Sequence, residues 1–258
     1  MKNNEVRHNL LAGVAQIGCF MGLGSPNVAE LLTRAGLDWL VIETEHNNLD
    51  IAQIEHILMA VQGSGAMPIV RVASAQQVYI QRALDVGAMG VLVPMVRSVA
   101  EAEAIVAATR FPPEGRRSFG PLRASHYSLD NEDYLRRAND NILVALIVET
   151  REMLDNLEEI AAVPGVDVLF LGPFDLCLSL GLDPLQLPLP EVDAVLERML
   201  EVGRRTGKAV GYAADSPEGL RALQAQGVTF VSYGQDYGLL MRAIREGVAA
   251  FGNAPALD

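Results

Sequence analysis

The sequence predicts an α/β protein built as a (β/α)8 (TIM) barrel, and three observations carry that prediction. Short apolar runs alternate with helix-length segments of 3.6-residue period along the whole chain, the pattern of repeated βα units on a parallel sheet. Eight such runs occur. The chain has 258 residues, 50% of them apolar, and an eight-unit barrel takes roughly 250. Residues 1–258 therefore read as one domain.

In chain order, the predicted strands cover residues 15–20, 39–42, 68–70, 90–93, 143–148, 168–171, 209–211 and 230–232. Each is predominantly apolar, as a strand covered on both faces is expected to be. Between the first two, Ser25 and Pro26 set a capping hydroxyl before a first-turn proline, and Ala29, Leu31, Leu32 and Ala35 form an apolar face ending at Gly36. Asp50 caps a helix over 51–61 that stops at Gly63, Ser64 and Gly65. Further helices are expected over 77–86, ended by Gly87, and over 99–109, ended by the prolines at 112 and 113. Segment 152–162 stops before Pro164, 191–205 at Gly207 and 217–225 at Gly227, and 237–250 closes the series.

Two insertions interrupt this spacing. Residues 112–139 carry Arg116, Arg117, Arg123, His126 and Tyr127 and then a short helix over 131–138; residues 182–190, LDPLQLPLP, follow the sixth strand. Both are expected among the loops at the C-terminal face of the barrel, where such folds build their sites.

Charge and composition narrow the function. A net charge of −12 and a pI near 4.8 argue against nucleic acid or an anionic membrane surface as partner, since both reward a basic patch. Cys19 and Cys177 lie far apart in apolar contexts, so no disulfide framework is expected and a reducing cytoplasm fits. The first sixteen residues lack the apolar core of a signal peptide, and no run approaches the ~18 apolar residues of a membrane span.

The polar residues that matter stand just past strand ends. The second strand runs into Glu43, Thr44, Glu45 and His46, the third into Arg71, the fifth into Glu149 and the sixth into Asp175. In a barrel all would converge on one mouth. Glu149 and Asp175, on neighbouring strands, form a hard-cation pair, for Mg2+ or Mn2+ first, with water and substrate oxygens completing the shell. Arg71 offers a planar fork for a carboxylate or enolate oxygen, and His46 supplies proton transfer near neutral pH. The only lysines are Lys2 and Lys208, neither placed for a Schiff base at that mouth, so enolate chemistry would depend on the metal.

These residues resemble the HpcH/HpaI class II pyruvate aldolases, a family that includes 2-keto-3-deoxy-L-rhamnonate aldolase and 4-hydroxy-2-oxoheptane-1,7-dioate aldolase. The likeness covers nearly the whole chain through AGLDWLVIETEH (35–46), PIVR (68–71), LDVGAMGVLVPMV (84–96), YLRRAND (134–140) and VETREMLDNLEEIAAVPGVDVLFLGPFDLCLSLG (148–181). The resemblance implies that Glu149 and Asp175 hold the divalent metal (Mg2+ or Mn2+, with Co2+ or Zn2+ also compatible) and that pyruvate or hydroxypyruvate chelates it. It implies that His46 is the base, with Asp85 orienting it and Glu45 behind it. Arg71 would hold the keto oxygen, the backbone of Gly172, Pro173, Phe174 and Asp175 the substrate carboxylate, and Tyr212 would line the aldehyde pocket. It implies a homo-hexamer, a trimer of dimers that exchange the helix at 237–251. Four positions depart from the family pattern: Glu43 where Asp is common, Ile147 where Gln is, Phe174 where a small residue is, and Phe20 where Trp is. They bear on which aldehyde is accepted.

Rival readings keep the barrel and change the chemistry. A citramalyl- or malyl-CoA-type lyase would need a basic surface, for which Arg116, Arg117 and Arg123 are the candidates; oxaloacetate decarboxylation keeps the same enolate. A cation- or sugar-acid-binding barrel without catalysis would not need His46, Arg71 and Asp85 together.

Overall fold

The computed structural model describes residues 1–252. The chain opens with α1 (Glu5–Leu11), β1 (Gln16–Met21), α2 (Pro26–Arg34), β2 (Trp39–Glu43), α3 (Ile51–Ala60), β3 (Met67–Arg71) and α4 (Gln77–Asp85). Next come β4 (Gly90–Val93), α5 (Val99–Thr109), α6 (Asn131–Asn141), β5 (Leu143–Val148), α7 (Arg151–Asp155) and α8 (Leu157–Ala162). The second half holds β6 (Val168–Leu171), α9 (Pro173–Leu180), α10 (Pro190–Thr206), β7 (Ala209–Ala214), α11 (Pro217–Gln226), β8 (Phe230–Gln235) and α12 (Asp236–Ala250). The eight strands pair in sequence order, all parallel, and β8 returns to β1 to close the barrel.

Closure divides the apolar residues into two layers. Outward-facing side chains such as Leu40, Ile42, Val70, Val144 and Leu146 meet the helices. Inward-facing ones, among them Val41, Ile69, Leu92 and Phe170, fill the barrel. Trp39 and Phe230 stack in that interior, centroids 4.0 Å apart and planes 11° from parallel. Gly18 makes the stack possible, because a Cβ there would lie 1.9 Å from the Trp39 ring.

The predicted strands are all present within a residue or a few of their ends. Three features differ from expectation. α1 was not foreseen: Asn4 caps it, and Val6 and Leu10 plug the N-terminal end of the barrel. The segment read as one helix over 152–162 is two, broken at Asn156 (φ −113°, ψ 19°). The insertion 112–139 is not on the C-terminal face, because α5 has already carried the chain back before it begins and β5 starts where it ends. It lies at the opposite end of the barrel. The proline-rich insertion is where expected, with Leu187 and Pro188 on the mouth.

The Gly18 contact yields a stability prediction. Gly18→Ala should lower stability by about 1–3 kcal/mol, the range for overpacking a filled core. A lower denaturant midpoint at unchanged slope is the expected reading, and wild-type stability would mean that Trp39 can move aside.

Candidate active site

Register brings the polar residues together. Glu43 and Arg71, the last residues of β2 and β3, are direct partners across the sheet. Val148 pairs with Leu171, so Glu149 and Gly172 step off β5 and β6 side by side. They border a cavity of about 750 Å³ at the C-terminal mouth, with Asp175, Tyr212 and Phe174 on its wall.

Arg71 stands at the centre. Its Nη1 donates to Glu43 Oε2 at 3.1 Å, its Nη2 lies against the Glu45 carboxylate, and Glu149 Oε2 is 3.8 Å from the same nitrogen. Arg71 Nε is buried and has no hydrogen-bond partner. Glu43, itself buried, holds the loop as well: its Oε1 accepts from the backbone N–H groups of Glu45 (2.6 Å) and His46 (3.2 Å). Glu43 therefore aims both Arg71 and the His46 loop, and the longer carboxylate at this position does two jobs.

Glu149 is 1% exposed. Its Oε1 accepts from the Met95 N–H at 2.6 Å, and Met95 takes a left-handed backbone, φ 57°, unusual for a residue with a side chain. The hydroxyl of Thr150 donates to the Val96 carbonyl at 2.8 Å and fixes the same loop. Burial, with the negative charges of Glu45 and Asp175 adding to it, pushes the Glu149 carboxyl up to about 7. Burial first, then Glu43 and Asp175, also raises Glu45.

Asp175 is the third residue of α9, whose capping position is Gly172. Among the described residues its carboxylate accepts no protein hydrogen bond, so it is not spent on capping the helix. His46 is exposed (side chain 62%), with Nε2 3.6 Å from Glu45 Oε2.

Asp85 stands apart from His46 within the chain. It ends α4, at the N-terminal end of the barrel, and its Oδ1 accepts from Arg117 Nη2 at 2.7 Å. The His46–Asp85 pair that the resemblance implies is not formed within one chain. Arg117 is buried there between Phe111 and Tyr134, so Arg116, Arg117 and Arg123 do not flank the mouth. A CoA-docking role for that cluster loses its basis.

The donor set suits a hard divalent cation. Glu43, Glu45 and Glu149 lie within 4.0 Å of one guanidinium and Asp175 shares the cavity wall, so the acidic side chains outnumber the cation among them. A Cβ on Gly172 would sit 2.8 Å from Glu149 Oε2, so glycine keeps the space beside that oxygen open. Among the described residues no three His, Cys, Asp or Glu side chains cluster as metal ligands. A cation here would have two protein ligands and open positions for water and substrate.

The model of the HpcH/HpaI aldolase/citrate lyase family matches residues 16–243. The chain belongs to that family. It is 40% identical to a hydroxypyruvate/pyruvate aldolase of Pseudomonas aeruginosa, over 98% of this chain and 95% of the relative. It is 35% identical to the 2-keto-3-deoxy-L-rhamnonate aldolase of Escherichia coli (strain K12), over 96% and 93%. Among solved structures, an HpcH/HpaI aldolase/citrate lyase family protein from Burkholderia cenocepacia J2315 superposes with a TM-score of 0.92 at 33% identity, covering 97% of this chain and 100% of that one.

The Glu149 environment sets a pH test. A carboxyl with a folded pKa of about 7 against 4.5 when free opposes folding while ionised. In metal-free protein that penalty, about 3 kcal/mol, is full above pH ~7 and is relieved as pH falls towards 4.5. Glu149→Gln should therefore raise the thermal midpoint in chelator near pH 8. An unchanged midpoint would show that the buried charge is compensated within the protein.

Proposed function

We propose that this protein is a divalent-metal-dependent aldolase that joins pyruvate or hydroxypyruvate to an aldehyde and cleaves the resulting 4-hydroxy-2-oxo acid. The observation that carries the reading is the meeting of Arg71, Glu149 and Asp175 in one cavity, with Arg71 Nε left without a partner. An orphaned guanidinium donor beside two carboxylates is a seat for a substrate oxyanion next to a cation.

Glu149 and Asp175 would hold the cation, Mg2+ or Mn2+ first, with Co2+ or Zn2+ compatible. Bound there, it would supply the Lewis acidity that polarises the keto group. Arg71 donates to the keto oxygen and stabilises it as negative charge builds, a preorganised contact because Glu43 and Glu45 already fix the guanidinium. His46 takes a proton from C3 of the 2-oxo acid in condensation, and one proton is delivered to the aldehyde oxygen as the new C–C bond forms. The first turn of α9, from Gly172 through Pro173 and Phe174 to Asp175, receives the carboxylate of the 2-oxo acid, with the backbone N–H groups of Phe174 and Asp175 as donors, since proline has none and the Gly172 N–H is given to the Val148 carbonyl. Tyr212 lines the aldehyde side, where Phe20, Ile147 and Phe174 narrow the cavity with apolar surface.

The active form in this proposal is a homo-hexamer of one-domain barrels, a trimer of dimers exchanging residues 237–251. Leu240, Met241, Ile244 and Phe251 on and just past α12 are exposed, an apolar face that a second copy would cover. Asp85 would meet His46 only across such an interface, given its place at the other end of its own barrel. Two buried, unbridged cysteines suit the cytoplasm.

Exchange of the pyruvate methyl protons in D2O tests the reading without an aldehyde. Exchange should vanish in chelator and return with Mn2+ or Mg2+. His46→Ala should slow it about 10²–10⁴-fold while Mn2+ affinity changes less than threefold. Wild-type exchange by His46→Ala would place the base elsewhere.

A further inference from the structure

The end of the barrel opposite the mouth holds a second cavity, of about 280 Å³, between α1, α10, the end of α11 and the start of β7. Leu10, Leu11, Leu200 and Val210 give it apolar walls, and two cations border it, Arg204 and Lys208. Local turn chemistry brings Lys208 there. Gly207 ends α10 in a left-handed conformation, φ 71°, and a Cβ on Gly203 would sit 2.8 Å from the Lys208 carbonyl oxygen. The helix therefore closes directly on the strand start and leaves the lysine half-buried. None of the lining residues belongs to the segment 237–251 or to the insertion 112–139.

The other amines of the chain are occupied. Lys2, the only other lysine, donates from Nζ to the Ser64 carbonyl at 2.7 Å, and the Met1 amine is paired with Asp133. Among the described residues the Lys208 side chain makes no hydrogen bond and has no carboxylate within 4.0 Å, and Arg204 has no carboxylate within that distance either. The Asp167 carboxylate, just before β6, is already engaged: Arg7 lies 3.0 Å from each of its oxygens, and the Val144 N–H donates to it at 2.9 Å. Burial lowers the Lys208 ammonium below the ordinary lysine range, Arg7 adds to that shift and Asp167 offsets only part of it. In a chain of net charge −12, two cations without acid partners border one cavity.

Their chemistries are complementary. An amine that gives up its proton readily is a nucleophile towards carbonyl carbon, and a guanidinium fork receives an oxyanion. We propose that Lys208 forms a reversible imine with small carbonyl compounds that carry an acid group, 2-oxo acids or aldehyde acids, whose carboxylate Arg204 receives. The amine nitrogen adds to the carbonyl carbon, and the carbonyl oxygen leaves as water with the two amine protons, so the step needs no oxidant or reductant. This is a covalent binding site at the pole opposite the mouth, and it does not rest on the aldolase reading.

The test treats Mn2+-loaded enzyme near pH 7.5 with glyoxylate and cyanoborohydride, which reduces the imine to a stable secondary amine, and locates the adducts by peptide mass mapping. Lys208 should be labelled about tenfold faster than Lys2, and the ratio should fall as pH rises towards the range where the Lys2 amine also loses its proton. Arg204→Ala, an exposed position, should slow glyoxylate labelling of Lys208 about tenfold, the worth of a charge-assisted contact, and leave labelling by propanal, which has no acid group, as in wild type. Equal rates at Lys208 and Lys2 near pH 7.5 overturn the proposal, as does glyoxylate labelling of Lys208 in Arg204→Ala at the wild-type rate. No lysine stands at the mouth, so label at Lys208 reports this cavity alone. Absence of pyruvate proton exchange in wild type would defeat the aldolase reading and leave this inference standing.

Discussion

The site depends on one guanidinium set among carboxylates that would otherwise repel each other. Arg71 bonds Glu43, lies against Glu45 and stands 3.8 Å from Glu149. Without it, four acidic side chains at one barrel mouth would be held together against their own field. With it, the cluster still carries excess negative charge, and burial first, with that charge adding to it, pushes the Glu149 carboxyl up to about 7. Stability and chemistry are opposed here in the usual way, the site storing strain that bound ligands relieve.

That arrangement needs a rigid frame. Arg71 and Glu43 owe their contact to strand register, which the closed barrel makes invariant: a slip of one residue would send both side chains to the other face. The register is in turn secured by an interior filled to contact, with Trp39 stacked on Phe230 over Gly18. Loops are tied to the frame by groups with no catalytic chemistry of their own. Asp236, buried at the start of α12, accepts from the N–H groups of Gly22 and Leu23 and joins the ends of β1 and β8. Met95 and Thr150 do the same for the loop after β4.

Two of the departures from the family pattern gain a physical meaning. Glu43 has the reach to hold Arg71 and two loop amides at once. Phe20 packs on Phe170, centroids 5.4 Å apart, and makes the cavity floor apolar between its two polar ends. At the end of the cavity away from Glu149 the lining turns polar again, with Asp215, Gln235 and Arg242.

What the sequence by itself determined was everything that local pattern controls. Eight apolar runs named the eight strands, because a strand covered on both faces must be apolar throughout. The carboxylates, Arg71 and His46 were legible because each follows directly after such a run. What only the tertiary structure decided depends on contacts between distant segments. α1 is short, and its apolar residues gain a burial partner only once the barrel end exists to be plugged. Asp85 sits in a stretch matching the family, yet its end of α4 is carried away from His46 and onto Arg117, some thirty residues further on. Arg242 carries no motif, and it reaches the rim of the mouth because α12 starts directly after β8, where Tyr233 and the Asp215 carbonyl accept its hydrogen bonds.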